Sequence, residues 1–296
     1  MRRARGKAVT DAAGRAALDG RHRRLLADLA ELKQAVLAFS GGLDSSFLLH
    51  AASRAMGEGL TAVTLYTPYA PRAEIAEAAA LAGRLGVRHV VLPVAFPEAL
   101  RDNPPERCYL CKKALFARLL ELAADEGIAH VLDGTNRDDL GDHRPGMRAL
   151  AELGIISPLL AAGIGKEDIR ALSRQAGLPT WNKPSGACLL TRLPHGRRVT
   201  AEELERIDTA ETWLRGLGFP AVRLRSHGDL ARLEVPRDQA PAVLEADSRH
   251  GIDAKLKALG YRHVTLDLAG YRMGSLNEKP DAASGPPPGG DACAKP

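Results

Sequence analysis

Short apolar runs and amphipathic stretches alternate along the first two thirds of the chain. Four of the runs have the length and the Val, Leu and Thr content of buried strands, and they cover residues 35–39, 60–66, 89–94 and 130–132. Apolar residues recur at helical spacing over residues 25–34, and an alanine-rich stretch from Pro71 to Leu85 begins with a proline suited to a first helical turn. Strands that alternate with helices predict the α/β class, with a doubly wound parallel sheet and ligands at the carboxyl ends of its strands.

The pattern changes after Pro194 and predicts a smaller C-terminal α+β module. Thr200 is the N-cap of its first helix, and Glu203 follows three residues later, as in a capping box. Strictly alternating residues flank His227-Gly228-Asp229 and predict a hairpin. The predicted elements are a helix over 201–217, strands over 222–226 and 231–235, a helix over 240–259 and a strand over 264–268.

Composition divides the chain into four segments. We expect a disordered basic extension over residues 1–24, the α/β domain over 25–195, the small module over 196–277 and a disordered tail over 278–296. The formal net charge of +5 comes from residues 1–24, which carry +6, so the other 272 residues sum to −1. A near-neutral body lacks the charge that a nucleic-acid partner requires, and we predict no such partner.

The location of the protein is predicted from what the sequence lacks. The arginine-rich start has no apolar region of the secretory type, and no apolar run approaches the length of about eighteen residues that a membrane span needs. Four cysteines without a signal do not indicate a disulfide scaffold. We therefore expect a cytoplasmic protein without a membrane partner.

The turn after the first predicted strand is a candidate anion site. Residues 40–46 read Ser-Gly-Gly-Leu-Asp-Ser-Ser, and a helical pattern begins at once. Glycines let the backbone approach a ligand, and the first amides of a helix lack intrahelical partners, so the turn is suited to phosphate. No Gly-Lys-Ser/Thr follows the glycines, which argues against a Walker A loop and against kinase or GTPase chemistry.

Three cysteines lie in two polar segments. Cys108 and Cys111 stand two residues apart at the predicted entrance of a helix, and Cys188 ends the loop Trp-Asn-Lys-Pro-Ser-Gly-Ala-Cys. A C-x-x-C pair serves as a redox pair, as half of a zinc site or as cluster ligands, and it also occurs without such a role. No second C-x-x-C completes a zinc site. Three thiolates suit an iron–sulfur cluster with one open iron, and Cys188 is alternatively a lone nucleophile.

The turn at residues 40–45 resembles the pyrophosphate loop of the N-type ATP pyrophosphatases, the PP-loop superfamily. Further motifs follow at 107–112 (Arg-Cys-Tyr-x-Cys-Lys), 133–139 (Asp-Gly-Thr-Asn-x-Asp-Asp), 144–146 (Arg-Pro-Gly), 183–188 (Lys-Pro-Ser-x-Ala-Cys), 223–229 (Arg-x-Arg-x-His-Gly-Asp) and 270–275 (Gly-Tyr-Arg-x-Gly-Ser). Over about residues 25–277 this combination resembles the LarE family of ATP-dependent sulfur transferases, which act in the biosynthesis of the nickel-pincer nucleotide cofactor of lactate racemase. The chain departs from the commoner Cys-Leu-Ala-Ser-Arg only in reading Cys-Leu-Leu-Thr-Arg at 188–192.

The resemblance implies a PP-loop ATP pyrophosphatase domain over 25–195 and a substrate-binding or oligomerisation domain over 196–277. It implies adenylation of a pyridinium dicarboxylate mononucleotide and its conversion to a thiocarboxylate, with Mg²⁺ carried by Asp44. The implied ATP ligands are Ser40, Gly41, Gly42, Asp44, Ser45, Ser46, Gly134, Thr135 and Asn136. The implied ligands of the substrate phosphate or carboxylate are Arg192, Arg223 and Arg225, with Glu211 a weaker candidate for a metal ligand.

Cys188 matches the sulfur-bearing cysteine of the family. In the single-cysteine form that residue gives up its own sulfur and becomes dehydroalanine. In the three-cysteine form, Cys108, Cys111 and Cys188 would hold a 4Fe-4S cluster whose open iron carries the transferred sulfide. Because all three are present, we expect the cluster. The resemblance also implies a homo-oligomer, a trimer or a hexamer.

Other interpretations remain. Arg223 and Arg225 face one side of a strand, which fits either a solvated face or a pair of guanidiniums that bind an anion. His195 and His227 fit turn residues better than ligands. The main rival enzyme is a PP-loop tRNA thiolation enzyme, whereas amidotransferase synthetases and NAD synthetase explain the loop without the cysteines. A different class is a regulatory module that binds ATP without turning it over.

Overall fold

A four-stranded parallel sheet organises the first two thirds of the chain. The computed structural model describes the backbone of residues 2–13 and 141 and the complete residues 14–140, 145–184, 186 and 188–271. The strands of this sheet are β1 (Ala35–Ala38), β2 (Leu60–Tyr66), β3 (Arg88–Pro93) and β4 (Val131–Leu132). Their order is β3-β2-β1-β4, with every pair parallel. All four lie within a residue or two of the predicted apolar runs.

Helices cover both faces of this sheet, which confirms the doubly wound α/β prediction. The helices of the chain are α1 (Arg2–Leu32), α2 (Leu43–Met56), α3 (Arg72–Arg84), α4 (Arg107–Asp125), α5 (Pro145–Glu152), α6 (Pro158–Ala161), α7 (Lys166–Gln175), α8 (Ala201–Gly216), α9 (Ala240–His250) and α10 (Ile252–Ala258). Leu37 of β1 belongs to a core with α1, α2, α3 and α7, whereas its neighbour Val36 belongs to a core with α4 and α5. Because adjacent strand residues point to opposite faces, these two cores lie on opposite sides of the sheet.

The N-terminal segment corrects the prediction of a disordered extension over residues 1–24. A single helix, α1, begins at Arg2. Leu25 and Leu29 are fully buried against the sheet, and Arg21 donates a hydrogen bond to Asp168 of α7 at 2.9 Å. The alanines, leucines and arginines of this segment are strong helix formers. Our prediction gave more weight to the density of positive charge than to this propensity.

The C-terminal module contains a second sheet of three strands in the order β5-β6-β7. The strands β5 (Arg223–His227) and β6 (Leu230–Glu234) form the predicted hairpin around Gly228-Asp229, and β7 (His263–Leu266) pairs parallel to β6. Thr200 caps α8 by accepting a hydrogen bond from the Glu203 amide. The predicted helix over 240–259 is wrong in its continuity, because Gly251 adopts a positive φ of 65° and separates α9 from α10.

The two modules share core residues. Tyr69, Leu100 and Leu189 come from the first 195 residues, yet they are buried in the same cluster as Leu224 and Leu233 of the hairpin. The division at residue 195 stays a prediction, since the segment after Cys188 packs on the second module. The predicted tail over 278–296 lies outside the described residues. No helix in the described part of the chain is long and apolar enough to cross a membrane.

Candidate functional site

The turn between β1 and α2 has the backbone of an anion site. Gly41 adopts a φ of 70°, and a Cβ at this position would lie 3.1 Å from the Ala78 Cβ of α3. Only glycine combines this conformation with this close approach. The Ser40 and Ser45 hydroxyl oxygens lie 3.1 Å apart, next to the first amides of α2. The turn therefore presents hydroxyls together with the first amides of a helix, which lack intrahelical partners, as phosphate binding requires.

The Asp133–Asn136 turn lies directly beside it. A Cβ on Gly134 would lie 3.1 Å from the Ser45 amide nitrogen, so the two turns are in contact, as neighbouring parallel strands predict. Within the described residues, Asn136 Nδ2 and Ser46 Oγ are buried without a hydrogen-bond partner. Buried polar atoms of this kind are normally satisfied, so these two atoms are candidates for contacts with a polar ligand.

Two acidic residues of this edge are paired with lysines. Asp133 accepts hydrogen bonds from Thr135 and Ser157, both at 2.5 Å, and its Oδ2 lies 3.7 Å from the Lys112 ammonium. Asp139 lies 3.3 Å from the ammonium of Lys166. Lys112 follows Cys111 in sequence, and it therefore reaches from the cysteine helix to the Asp133–Asn136 turn.

Lys183 makes a contact with the turn that sequence reasoning missed. Its ammonium donates hydrogen bonds to the Gly41 carbonyl at 3.0 Å and to the Glu77 carboxylate at 2.7 Å. Arg170 of α7 holds the same loop by donating to the carbonyls of Trp181 and Lys183. The loop that leads to Cys188 is thus fixed against the anion site, and it brings a positive charge to a turn that lacks a lysine of its own.

The cysteines lie around the entrance of α4. Cys108 is exposed on its first turn, whereas Cys111 and Cys188 are partly buried, and all three are free thiols. The Tyr69 hydroxyl lies 3.3 Å from Cys111 Sγ. Asn103, fully buried, donates hydrogen bonds to three carbonyls of residues 190–194 and so ties the segment after Cys188 to the loop before α4.

Burial raises the pKa values of the inner thiols. It raises the pKa of Cys111 to about 12, although the hydrogen bond with Tyr69 acts in the opposite direction. Burial and the charge of Cys108 raise the pKa of Cys188, against the positive charges of Arg107 and Arg192. In the ligand-free chain both thiols are protonated at neutral pH, so a metal or a base has to generate the thiolate. Among the described residues, no three Cys, His, Asp or Glu side chains meet in a metal-binding arrangement.

Arg192 and Glu211 form a buried ion pair behind the cysteine loop. Arg192 Nε and Nη2 donate to the two carboxylate oxygens at 2.8 and 2.9 Å, and Arg215 adds a third hydrogen bond at 2.6 Å. Arg192 Nη1 donates to the Cys188 carbonyl at 3.2 Å. Burial favours protonation of Glu211, but the charges of Arg192 and Arg215 and the hydrogen bonds that the carboxylate accepts together outweigh it and hold the pKa of this carboxyl below its usual value. The pair connects Cys188 to α8.

The arginines of β5 are buried, which excludes a solvated strand face. Arg223 and Arg225 are 4% and 5% exposed. Arg225 donates to the Glu234 carboxylate and the Thr191 carbonyl, both at 2.7 Å, and the Arg223 guanidinium lies 5.1 Å from the centre of the Tyr271 ring. Burial and the charge of Arg192 lower the pKa of Arg223. These contacts place both arginines beside Arg192, while anion binding by them stays a prediction.

Of the two histidines that we predicted to be turn residues, His195 has a structural partner. The guanidinium of Arg107, itself buried, lies 2.9 and 3.0 Å from the two ring nitrogens. This contact joins the start of α4 to the end of the cysteine loop. The sequence offered no signal for it, because the two residues lie 88 positions apart.

Comparison with known proteins identifies the family. The asparagine synthase family, a PP-loop family, matches residues 28–122. The chain is 37% identical over 257 residues to the pyridinium-3,5-bisthiocarboxylic acid mononucleotide synthase of Lactiplantibacillus plantarum, and the match covers 86% of this chain and 92% of the relative. The chain belongs to the LarE family of ATP-dependent sulfur transferases.

Two other relatives match different shares of the chain. A protein of Synechocystis sp. described as uncharacterized is 39% identical over 83% of this chain and 93% of its own length. A component of the glutamine-hydrolyzing GMP synthase of Archaeoglobus fulgidus is 27% identical over 49% of this chain and 52% of its own length. The amidotransferase synthetases thus resemble about half of the chain, as expected if they share only the ATP-binding part.

Proposed function

We propose that the protein adenylates a carboxylate of a pyridinium dicarboxylate mononucleotide and converts it to a thiocarboxylate for the nickel-pincer nucleotide cofactor. The observation that carries the proposal is the contact of Lys183 with Gly41, since it fixes the loop of the candidate sulfur donor, Cys188, on the ATP turn. Membership of the LarE family supports the same chemistry.

Adenylation solves a chemical problem of the substrate. A carboxylate is a poor electrophile, because it is anionic and its leaving group would be oxide. A carboxylate oxygen attacks the α-phosphorus of ATP, the bond from this phosphorus to the bridging oxygen breaks, and pyrophosphate leaves. The resulting acyl adenylate has no charge at the carbonyl and has AMP as its leaving group.

Each part of the ATP edge has a role in this step. The amides of Gly41 and Gly42 and the hydroxyls of Ser40, Ser45 and Ser46 hold the phosphates, and Asp44 carries Mg²⁺. Gly134, Thr135 and Asn136 line the other side of the nucleotide, where the Asn136 amide group offers a buried donor. When ATP binds, the Lys183 ammonium leaves the Gly41 carbonyl and contacts a phosphate oxygen. Its charge then stabilises the departing pyrophosphate.

In the second step, a sulfur nucleophile attacks the carbonyl carbon, the bond to the AMP oxygen breaks, and AMP leaves. A 4Fe-4S cluster held by Cys108, Cys111 and Cys188 would supply an open iron that binds added sulfide. The support for this cluster is that Cys108 and Cys111 lie at the start of α4 and that Cys188 is near enough to interact with the charges of both thiols. The positive charges of Arg107 and Arg192 also lie near Cys188.

The alternative sulfur source is Cys188 itself. Its thiolate would form a thioester with the substrate, its Cα proton would be removed, and the Cβ–S bond would break to leave a thiocarboxylate and dehydroalanine. We favour the cluster, because the sacrificial route gives no role to Cys108 and Cys111.

The substrate is proposed to lie between the ATP edge and β5. Arg192, Arg223 and Arg225 concentrate positive charge beside the cysteine loop, and Arg–phosphate and Arg–carboxylate pairs are strong and directional. We propose that Glu211 orients Arg192 within this group of arginines and does not act as a metal ligand. We further propose that the enzyme works in the cytoplasm as a homo-oligomer, a trimer or a hexamer.

A PP-loop tRNA thiolation enzyme is the alternative function. It shares the ATP turn and the cysteines, but the residues after position 24 carry a net charge of −1, which is poor for tRNA binding.

The release of pyrophosphate and AMP separates the candidate functions. We expect the mononucleotide to stimulate formation of both from ATP, and bulk tRNA to have no effect. Stimulation by tRNA, together with a thionucleoside in the tRNA, would favour the rival. ATP binding without turnover under either condition would indicate a regulatory module.

A further inference from the structure

Tyr69 contacts both cysteine-bearing segments from the nucleotide edge of the first sheet. It lies three residues after β2 and is 2% exposed. Its hydroxyl is 3.3 Å from Cys111 Sγ, and its carbonyl accepts a hydrogen bond from the Leu189 amide at 3.0 Å. Leu189 directly follows Cys188. One residue therefore contacts the sulfur of one cysteine and the backbone beside another.

Packing fixes the direction of this hydroxyl. The Tyr69 ring meets the Phe96 ring edge to face, with centroids 5.4 Å apart and planes at 79°. Both side chains pack in the core that the two modules share. A tyrosine has only two side-chain torsions, and burial in a packed core leaves it little freedom to turn the hydroxyl away from Cys111.

The chemistry of the sulfur decides which atom donates. A thiol and a phenol are each able to donate, but a metal-bound or nucleophilic cysteine is a thiolate and has no proton. In the working state the Tyr69 hydroxyl is therefore the donor and Cys111 Sγ the acceptor. Hydrogen bonds to a ligating sulfur fix its orientation and are among the features that set the reduction potential of an iron–sulfur cluster.

We propose that Tyr69 is a positioning residue of the sulfur site, whose hydroxyl orients the Cys111 sulfur and whose carbonyl holds the Cys188 segment. The loop after β2 thereby joins the ATP edge to the sulfur donor. The inference rests on the proposed function, because it takes the three cysteines to form the sulfur site.

The test compares Tyr69→Phe with Tyr109→Phe. The first variant removes the hydroxyl and keeps the ring and the carbonyl. Tyr109 lies between the same two cysteines, but its hydroxyl donates to Glu152 at 2.7 Å, so its loss controls for a general effect on α4.

The first measurement uses metal-free protein and follows the rate at which iodoacetamide labels Cys111 relative to Cys108, read by peptide mass mapping. A donated hydrogen bond stabilises the thiolate, so Tyr69→Phe should slow labelling of Cys111 by a factor of about two to ten. In Tyr109→Phe, iodoacetamide should label Cys111 at the wild-type rate.

The second measurement is the midpoint potential of the cluster after anaerobic reconstitution with iron and sulfide. Loss of the hydrogen bond should make the potential of Tyr69→Phe more negative, because the reduced cluster carries more negative charge. Slower labelling of Cys111 or a more negative potential in Tyr69→Phe, without the same change in Tyr109→Phe, supports the inference. A wild-type labelling rate together with a wild-type potential in Tyr69→Phe overturns it. If the wild type takes up no cluster, the proposed cluster is wrong, and the labelling rate alone decides the role of Tyr69.

Discussion

At the scale of the residue, Asp44 is the most direct test of the ATP turn. It lies in the first turn of α2, and asparagine has the same size and shape as aspartate. Asp44→Asn should leave thermal unfolding unchanged and slow AMP formation about a hundredfold or more, since it removes the proposed Mg²⁺ ligand. Release of pyrophosphate at the wild-type rate would contradict the assignment.

Lys183 offers a second test at this scale. Lys183→Gln keeps a polar side chain, one atom shorter, and removes the charge that contacts the ATP turn, so pyrophosphate release should slow by about tenfold to a hundredfold. The matched control is Lys113→Gln, because Lys113 pairs with Glu152 on the surface of α4. Equal rates in the two variants would contradict a role of Lys183 in the release of pyrophosphate.

Single residues also show how far sequence reasoning reached. The glycines of the ATP turn and the cysteines of α4 were predictable, because each stands in a contiguous motif with a local physical purpose. The contacts of Lys183 with Gly41 and of Tyr69 with Cys111 join residues 142 and 42 positions apart, and only the folded chain brings them together.

At the scale of the element, the strands were predictable and two helices were not. Strands β1, β2 and β4 are short apolar runs that are largely buried, so their limits follow from the sequence. The edge strand β3 is only partly buried, and its Val and Leu content predicted it. The break at Gly251 was hidden, because the apolar pattern continues across it and the glycine was treated as part of the helix. The helical start of α1 was hidden by its charge. In α1, helix propensity outweighed the positive charge on which the prediction relied. At Gly251, a positive φ interrupted the helix although the apolar pattern continues.

The attachment of α8 to the cysteine loop leads to a prediction about stability. Glu211→Gln leaves the Arg192 guanidinium buried with a neutral partner, and loss of one member of a buried pair costs about 3–5 kcal/mol. We expect the free energy of unfolding at neutral pH, measured by denaturant titration, to fall by about that amount. A loss of less than about 1 kcal/mol would contradict the importance of the pair.

The same pair should appear in the pH dependence of stability. The folded pKa of Glu211 lies below its usual value of 4.5, so the contribution is complete above that pH. As the pH falls below about 4.5, the unfolded chain binds a proton that the folded chain does not, and stability is lost. Over this range the wild type should lose more stability than Glu211→Gln. Parallel curves would show that Glu211 titrates normally.

At the scale of the whole molecule, the proposed active site lies where the two predicted modules meet. The ATP turn belongs to the first sheet, the arginines belong to β5, and the cysteines lie between them on segments that share the core of the second module. The sequence predicted both modules and the chemistry of each. It did not predict their shared core, because packing between distant segments leaves no periodic pattern in the chain.

The central claim is that sulfur reaches a carboxylate of the mononucleotide at the expense of ATP. The most direct measurement is the mass spectrum of the nucleotide and of the intact protein after anaerobic incubation with iron, isotopically heavy sulfide, ATP, Mg²⁺ and the pyridinium dicarboxylate mononucleotide. We predict one heavy sulfur in place of a carboxylate oxygen for each AMP formed, with Cys188 unchanged and no product from the Cys108→Ser/Cys111→Ser variant. Sulfur of natural isotopic composition in the product, together with dehydroalanine at position 188, would show that Cys188 and not the cluster supplies the sulfur. AMP released beside a nucleotide that contains no sulfur would contradict the claim itself.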